Sequence, residues 1–516
     1  MKNKILLIIS AMVFLFSCSK DFLNLTPPTS LSSASFFKDY SQFMQAMNAA
    51  YVPLRAVVKV AIYEDEMRSD NTFFTIYQAN RGFEPHREAY PQFLDNALSS
   101  AVANSPGSRW TSDYSGISQV NTILNQLTDN TFLSQGAKDT LTGESLFLRA
   151  FYYFDLVTHY GGVPLHLDQI KSAEESFKAR NTVDEIYAQI RTDLDAAIPL
   201  LPVVTTFPQT GRISKGAAKM LSAYVYMTQP SRDYANAEQE LKDITNMNYA
   251  LLSSYEDVFD PANKNSSESI FDVQYMSDLV SGQQSEFAWV FMPKATNTAF
   301  LMGYDGGQMN IWSGWNVPTD EMVASYETGD ERLPASVAVV EGTISGVEDF
   351  TITALKSPVN YTPAAGSAFR YMIKKYFHPP YSVSFNTPDN FPVFRYSGAL
   401  LLLAECLVEE GKAGEALPYL NAVRNRAGLS SVAEATEDNV ADEMRHELAF
   451  ENHRWLDLIR TGKAIEATTN KGNLLKAIYG WILPAAFNVT EYRLLYPIPA
   501  RELLINTSLV QNPGYD

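Results

Sequence analysis

The run Leu400–Gly428, "LLLLAECLVEEGKAGEALPYLNAVRNRAG", carries two apolar-periodic segments hinged at Gly411. Ala404 and Ala416 stand at matching places on either side of the hinge. Small residues there let two antiparallel helices approach closely around a glycine turn, which is the pattern of a tetratricopeptide-like helical hairpin. A second run, "LSAYVYMTQPSRDYANAEQELKDI" (221–244), repeats the arrangement with Ala223 and Ala237 and two extra residues around Pro230. Two such hairpins predict a mostly α-helical scaffold.

Helical periodicity extends on both sides of these hairpins. In "FMQAMNAAYVPL" the residues Phe43, Met47, Ala50, Tyr51 and Leu54 recur at three and four, and Trp110, Tyr114, Ile117, Asn121 and Leu124 repeat the spacing. The stretch "ESLFLRAFYYFDLVTHYGGVPL" is apolar almost all round, which predicts a helix buried on most sides and stopped by Gly161-Gly162 and Pro164. A further helix is expected through "ADEMRHELAFENHRWLDLIRTG", ending at Gly462. Between about 255 and 390 the character changes: "IFDVQYM" alternates, and Trp289, Trp312 and Trp315 stand among Gly, Asn and Pro. The reading is one body over 36–516, helical in 36–254, loop-rich with short strands in 255–390, and helical and extended in 391–516. Ordered loops on a rigid scaffold are where binding usually resides.

The amino terminus is read as an export signal. Met1-Lys2-Asn3-Lys4 is cationic, and the apolar run Ile5–Phe16 is shorter than the roughly 20 residues needed to span a bilayer. Residues 1–17 read as a signal peptide. Leu15-Phe16-Ser17-Cys18 resembles the bacterial lipobox, so Cys18 is expected to be acylated and to begin the mature chain, with Pro- and Ser-rich residues 18–35 as an extended arm. The chain has two cysteines, so once Cys18 is acylated Cys406 is left alone. That rules out an internal disulfide and a zinc–cysteine cluster.

The composition is 46% hydrophobic and 12% aromatic, enough for a large core. A formal net charge of −18 opposes phosphate backbones, so nucleic acid is excluded as a partner.

Seven segments in order, "CSKDFLNLTPPT", "FLRAFYYFDLVTHYGGVPL", "GRISKGAAKMLSAYVYM", "NVPTDEMVASYETGDER", "FPVFRYSGALLLLAECLVEEGKAGEALPYLNAVRNRAGL", "RHELAFENHRWLDLIRTGK" and "YPIPARELLINTSLVQNPGY", resemble the SusD/RagB-type outer-membrane nutrient-binding lipoproteins. The resemblance implies a mostly helical fold with four tetratricopeptide-like hairpins. It also implies a lipid-anchored, surface-exposed glycan-binding protein serving a SusC-like TonB-dependent transporter, with no cofactor and no catalysis. One departure is Gly398, where the family commonly has Glu. Two other readings stay open: a transporter lid or scaffold that binds peptide or another nutrient, and a glycoside hydrolase.

Catalytic and metal motifs are weak. His446-Glu447 begins like H-E-x-x-H, but Phe450 stands at the second histidine position. His453 lies roughly 10 Å further along a helix, too far to share a zinc. Glu447 and Glu451, one turn apart, could in principle form a glycosidase pair, but Arg454 close by favours a structural ion-pair network.

Sugar binding asks for different chemistry. An aromatic plate covers the C–H face of a pyranose while amides and carboxylates at its edge satisfy the hydroxyls. The glycan-binding candidates on that basis are Phe73, Phe74, Tyr77 and Arg81, with Trp289, Tyr304, Trp312 and Trp315 from the loop-rich region. Trp110, Trp455 and Trp481 lie in helical patterns and are assigned to the core.

Overall fold

The computed structural model describes residues 36–75, 85–96, 105–277, 280, 282–304, 313–346 and 349–515. The signal peptide, the arm with Cys18, and the candidates Tyr77, Arg81 and Trp312 lie outside the described residues.

Eleven of the helices, the longer ones together with the two that follow α9, carry the architecture among the described residues. They are α1 (Tyr40–Ala61), α2 (Pro106–Thr128), α3 (Gln135–Tyr160), α4 (Val183–Leu200), α5 (Lys215–Thr228), α6 (Tyr234–Thr245), α7 (Tyr396–Glu409), α8 (Ala413–Arg426), α9 (Glu437–Glu447), α10 (Arg454–Arg460) and α11 (Ala464–Ile478). Each of α1 to α8 packs against the next, although about 150 residues separate α6 from α7, and α9 closes on α7 and α8. The row of hairpins is therefore continuous in space.

Both anticipated hairpins are present. Ala223 and Ala237 at the α5–α6 contact, and Ala404 and Ala416 at the α7–α8 contact, are completely buried. Cys406 is buried too, its Sγ 3.6 Å from Met227 Sδ, and acts as a packing residue.

Local chemistry sets the helix ends. Thr182 and Glu185 form a reciprocal capping box at the start of α4, and Gly161, at φ 71°, ends α3. A glycine is required at one helix crossing. A Cβ on Gly116 of α2 would lie 2.2 Å from the ring of Tyr152 on α3, whose hydroxyl reaches across to the Ala50 carbonyl of α1 at 2.7 Å. The paired donors of Arg149 on α3 hold the Asp193 carboxylate of α4, both at 2.7 Å.

The middle of the chain carries the strands expected there. It contains a three-stranded antiparallel sheet, order β5-β4-β6, from β4 (Val337–Ser345), β5 (Asp349–Lys356) and β6 (Ala368–Ile373). The first six residues of β4 are buried without alternation, so the period-two signal of a half-exposed strand is missing there. Two small ribbons accompany the sheet: β1 (Thr72–Phe73) with β3 (Val317–Pro318), and β2 (Ser269–Val273) with β7 (Phe391–Arg395). The helices share one large core, and the sheet has a second cluster of its own.

The long helix expected over 441–462 is broken into α9 and α10. Phe450 and Asn452 take left-handed backbone conformations, φ 68° and 64°, and their amides donate to the buried carboxylate of Glu66 at 3.2 and 2.9 Å. The turn is folded around that carboxylate.

Candidate functional site

The ribbon β1–β3 forms because Thr72 and Phe73 pair with Pro318 and Val317, flanked by the Thr75 amide donating to Gly314 and the Thr319 amide donating to Asn71. It floors a cleft of about 870 Å³. One wall is β6, which turns Phe369 and Tyr371 to the same side, their rings 5.3 Å apart. The opposite wall is α11 with Leu474, Ile478 and, just beyond its end, Tyr479. Leu474 and Ile478, one turn apart, are 52% and 58% exposed and present an apolar strip to the cleft. Polar groups line the rest: Asp320 and Glu321 after β3, Asp438 and Asp442 on α9, Arg454 on α10, and Lys463, Glu466 and Asn470 around α11.

Two buried groups set the shape of the floor. Arg454 donates to both oxygens of Asp70 at 2.8 and 2.9 Å, with Arg445 at 3.5 Å. Burial raises the Asp70 pKa, but hydrogen bonds from Arg454 and the two positive charges outweigh it and hold the carboxyl well below its usual range. Lys471 is buried with its ammonium donating to the carbonyls of Met67 and Ser69, both at 2.6 Å. Burial pushes its pKa down to about 7 against the pull of Asp70 and Glu66.

The sequence candidates separate into different places. Phe73 and Phe74 stack at 4.1 Å in the cleft floor, 4% and 2% exposed. Trp315 does not reach the surface: it is completely buried, 5.8 Å from the Phe74 ring and 5.5 Å from that of Tyr63. Trp289 is also buried, packed at 4.8 Å on Tyr381 in the cluster under the sheet. Half-buried Tyr304 belongs to that cluster, its hydroxyl bonded to Ser384. Neither Trp289 nor Tyr304 lines the cleft. Rings this buried cannot serve as sugar plates, so the expectation for Trp289 and Trp315, and for the equally buried Phe73 and Phe74, is corrected to packing.

The opposite correction applies to Trp481. Trp110 and Trp455 are buried as expected, but Trp481 is 44% exposed and 6.5 Å from the Phe74 ring. The helix stops at Ile478, so Trp481 falls in the turn after Gly480, near Phe74 of the floor but outside the residues that line the cleft. Phe369 and Tyr371 went unrecognised, although the alternation in "AFRYMI" marks them as same-face residues of one strand.

Glu447 and Glu451 lie away from this cleft. Glu447 is fully buried, with Arg395 at 3.0 Å, Arg332 at 3.3 Å and a further ion pair to Arg426, while Glu451 meets Arg395 at 2.7 Å and Lys375 at 2.8 Å. The ion-pair network is present, but Arg454 is not its cation, since Arg454 serves Asp70. Among the described residues no group of three or more His, Cys, Asp and Glu could hold a metal ion, and no helix is long and apolar enough to cross a membrane.

Comparison with known proteins places this architecture. A model of the SusD family matches residues 267–515, and one described as starch-binding associating with outer membrane matches residues 21–227. The chain belongs to the SusD/RagB family. A SusD-like protein of Formosa agariphila is 26% identical over 551 residues, covering 99% of this chain and 100% of that one. The starch-binding protein SusD of Bacteroides thetaiotaomicron is 24% identical over 451 residues, covering 77% and 76%. The solved structure of a laminarin-binding SusD-like protein superposes with a TM-score of 0.73 at 26% identity, covering 93% of this chain and 100% of that one. The SusD-like fold thus accounts for both the row of hairpins and the intervening sheet.

Proposed function

We propose that this SusD-family protein captures oligosaccharide in the cleft between β6 and α11 and does not cleave it. The observation that carries the reading is the pairing of an apolar wall, Tyr371, Tyr479, Leu474 and Ile478, with carboxylate, amide and guanidinium groups along the edges. Such a surface desolvates the C–H faces of a sugar while its edges bond the hydroxyls. The relatives named for starch and laminarin binding support a glycan as the ligand.

Acylation at Cys18 tethers the body to the outer membrane at the cell surface, and the captured glycan passes to a SusC-like TonB-dependent transporter. Family membership supports both parts of this reading.

Affinity electrophoresis against a polysaccharide panel tests the reading, with Tyr371→Ala and Trp481→Ala alongside the parent. Retention by some glycan, weakened in both variants, is expected. Equal retention in both variants would move the site elsewhere, and no retention by any glycan would remove the capture role.

A further inference from the structure

We propose that the cleft selects uncharged glycans and turns away sulfated and uronate-bearing ones, an inference that rests on the glycan reading above. The site is the cleft itself, and its charges set the choice among ligands.

Six carboxylates line it, and they fall into two groups. Asp70 is neutralised by Arg454, and Glu321 by Arg445 at 2.6 Å. Asp320, Asp438, Asp442 and Glu466 are exposed and form no ion pair among the described residues. The cations of the lining are largely committed elsewhere. Arg454 is held by Asp70, and Lys471 by two backbone carbonyls. The guanidinium of Arg370 lies 5.2 Å from the Phe350 ring centre and donates to the Phe369 carbonyl. Lys463 is the exposed ammonium beside the four carboxylates.

These acids act on one another and on the wall. Asp442 is exposed but partly desolvated, which raises its pKa; Arg445 and Arg454 lower it, and Asp438 and Glu321 raise it further. Burial also raises the Tyr371 pKa, and the Asp320 charge adds to it, so Asp320 is felt at the β6 wall. A neutral sugar offers each carboxylate hydroxyl donors for charge-assisted hydrogen bonds. A sulfate or uronate offers no donor in its place. At 4 Å in water, a like-charge pair weakens binding by about fivefold. The net charge of −18 repels in the same direction at longer range, a contribution screened beyond about 8 Å at physiological salt.

The test uses matched pairs, laminarin with laminarin sulfate and soluble starch with carboxymethyl starch, so that charge changes on one backbone. Binding is measured by calorimetry at low and high salt. The neutral member is expected to bind at least about tenfold more tightly, with the gap narrowing as salt is raised. The variant Asp320→Asn/Asp438→Asn/Asp442→Asn is expected to narrow the ratio by about fivefold or more. A control, Asp129→Asn/Glu174→Gln/Asp195→Asn, removes equal charge at exposed positions outside the cleft and is expected to leave the ratio unchanged.

Equal binding of both members overturns the selectivity while leaving glycan capture intact. An unchanged ratio in the cleft variant, or an equal change in the control, overturns the assignment to these carboxylates. If neither member of any pair is retained, the glycan reading fails and this inference fails with it.

Discussion

The guanidinium of Arg454 meets the carboxylate of Asp70 through two hydrogen bonds of 2.8 and 2.9 Å, joining α10 to the segment that leads into the cleft floor. Both partners are largely buried. Asp70→Ala leaves Arg454 without this partner and is expected to destabilise the protein by about 3 kcal/mol at pH 7. The folded-state pKa of Asp70 is depressed, so its contribution is present above the ordinary carboxylate value near about 3.9 and is lost as pH falls through the folded value. Urea unfolding of parent and variant should show their difference shrinking on acidification. A difference that grows instead contradicts the sign of the linkage.

Trp315→Ala and Trp481→Ala should have opposite consequences. Trp315 is fully enclosed, and its loss is expected to cost about 3–5 kcal/mol of stability. Trp481 is half exposed beside Phe74 of the cleft floor, so truncation should leave the unfolding midpoint nearly unchanged and weaken glycan retention by about tenfold. Thermal unfolding and affinity electrophoresis on the same preparations separate the two effects.

Glu447 contacts Arg395 and Arg332 at 3.0 and 3.3 Å and also pairs with Arg426. Glu447→Ala leaves buried cations without their partner and is expected to destabilise by about 3–5 kcal/mol. A reducing-end assay should detect no sugar release by the parent. Release by the parent that is abolished in a folded Glu447→Gln variant would instead establish a hydrolase.

Gly116→Ala pits two effects against each other. Alanine improves helix propensity by about 1 kcal/mol, but its methyl enters the Tyr152 ring at 2.2 Å, and overpacking of that kind costs about 1–3 kcal/mol. Net destabilisation is expected by denaturant titration, and Gly116→Ala/Tyr152→Leu should recover part of it.

The helical frame was legible because it rests on local periodicity. The alanine pairs at 223/237 and 404/416 mark helices that pack side by side, and the structure buries all four. The break between α9 and α10 was hidden, because it depends on a distant Glu66 carboxylate collecting the amides of Phe450 and Asn452. Phe73 and Phe74, chosen as sugar plates because aromatic residues stand there beside polar ones, lie in the cleft floor but are buried in it. The cleft walls were not legible, since β6 and α11 lie about 100 residues apart and only folding brings them face to face.

Residue order alone therefore settled the helical hairpins, the acidic balance and the family, all of which depend on short-range spacing or total count. Which aromatic rings meet solvent was decided by the folded chain: Trp289 and Trp315 went inside, and Trp481 stayed out. The reason is that exposure depends on what covers a side chain, and the covering groups come from distant segments, as when Val317 pairs with Phe73.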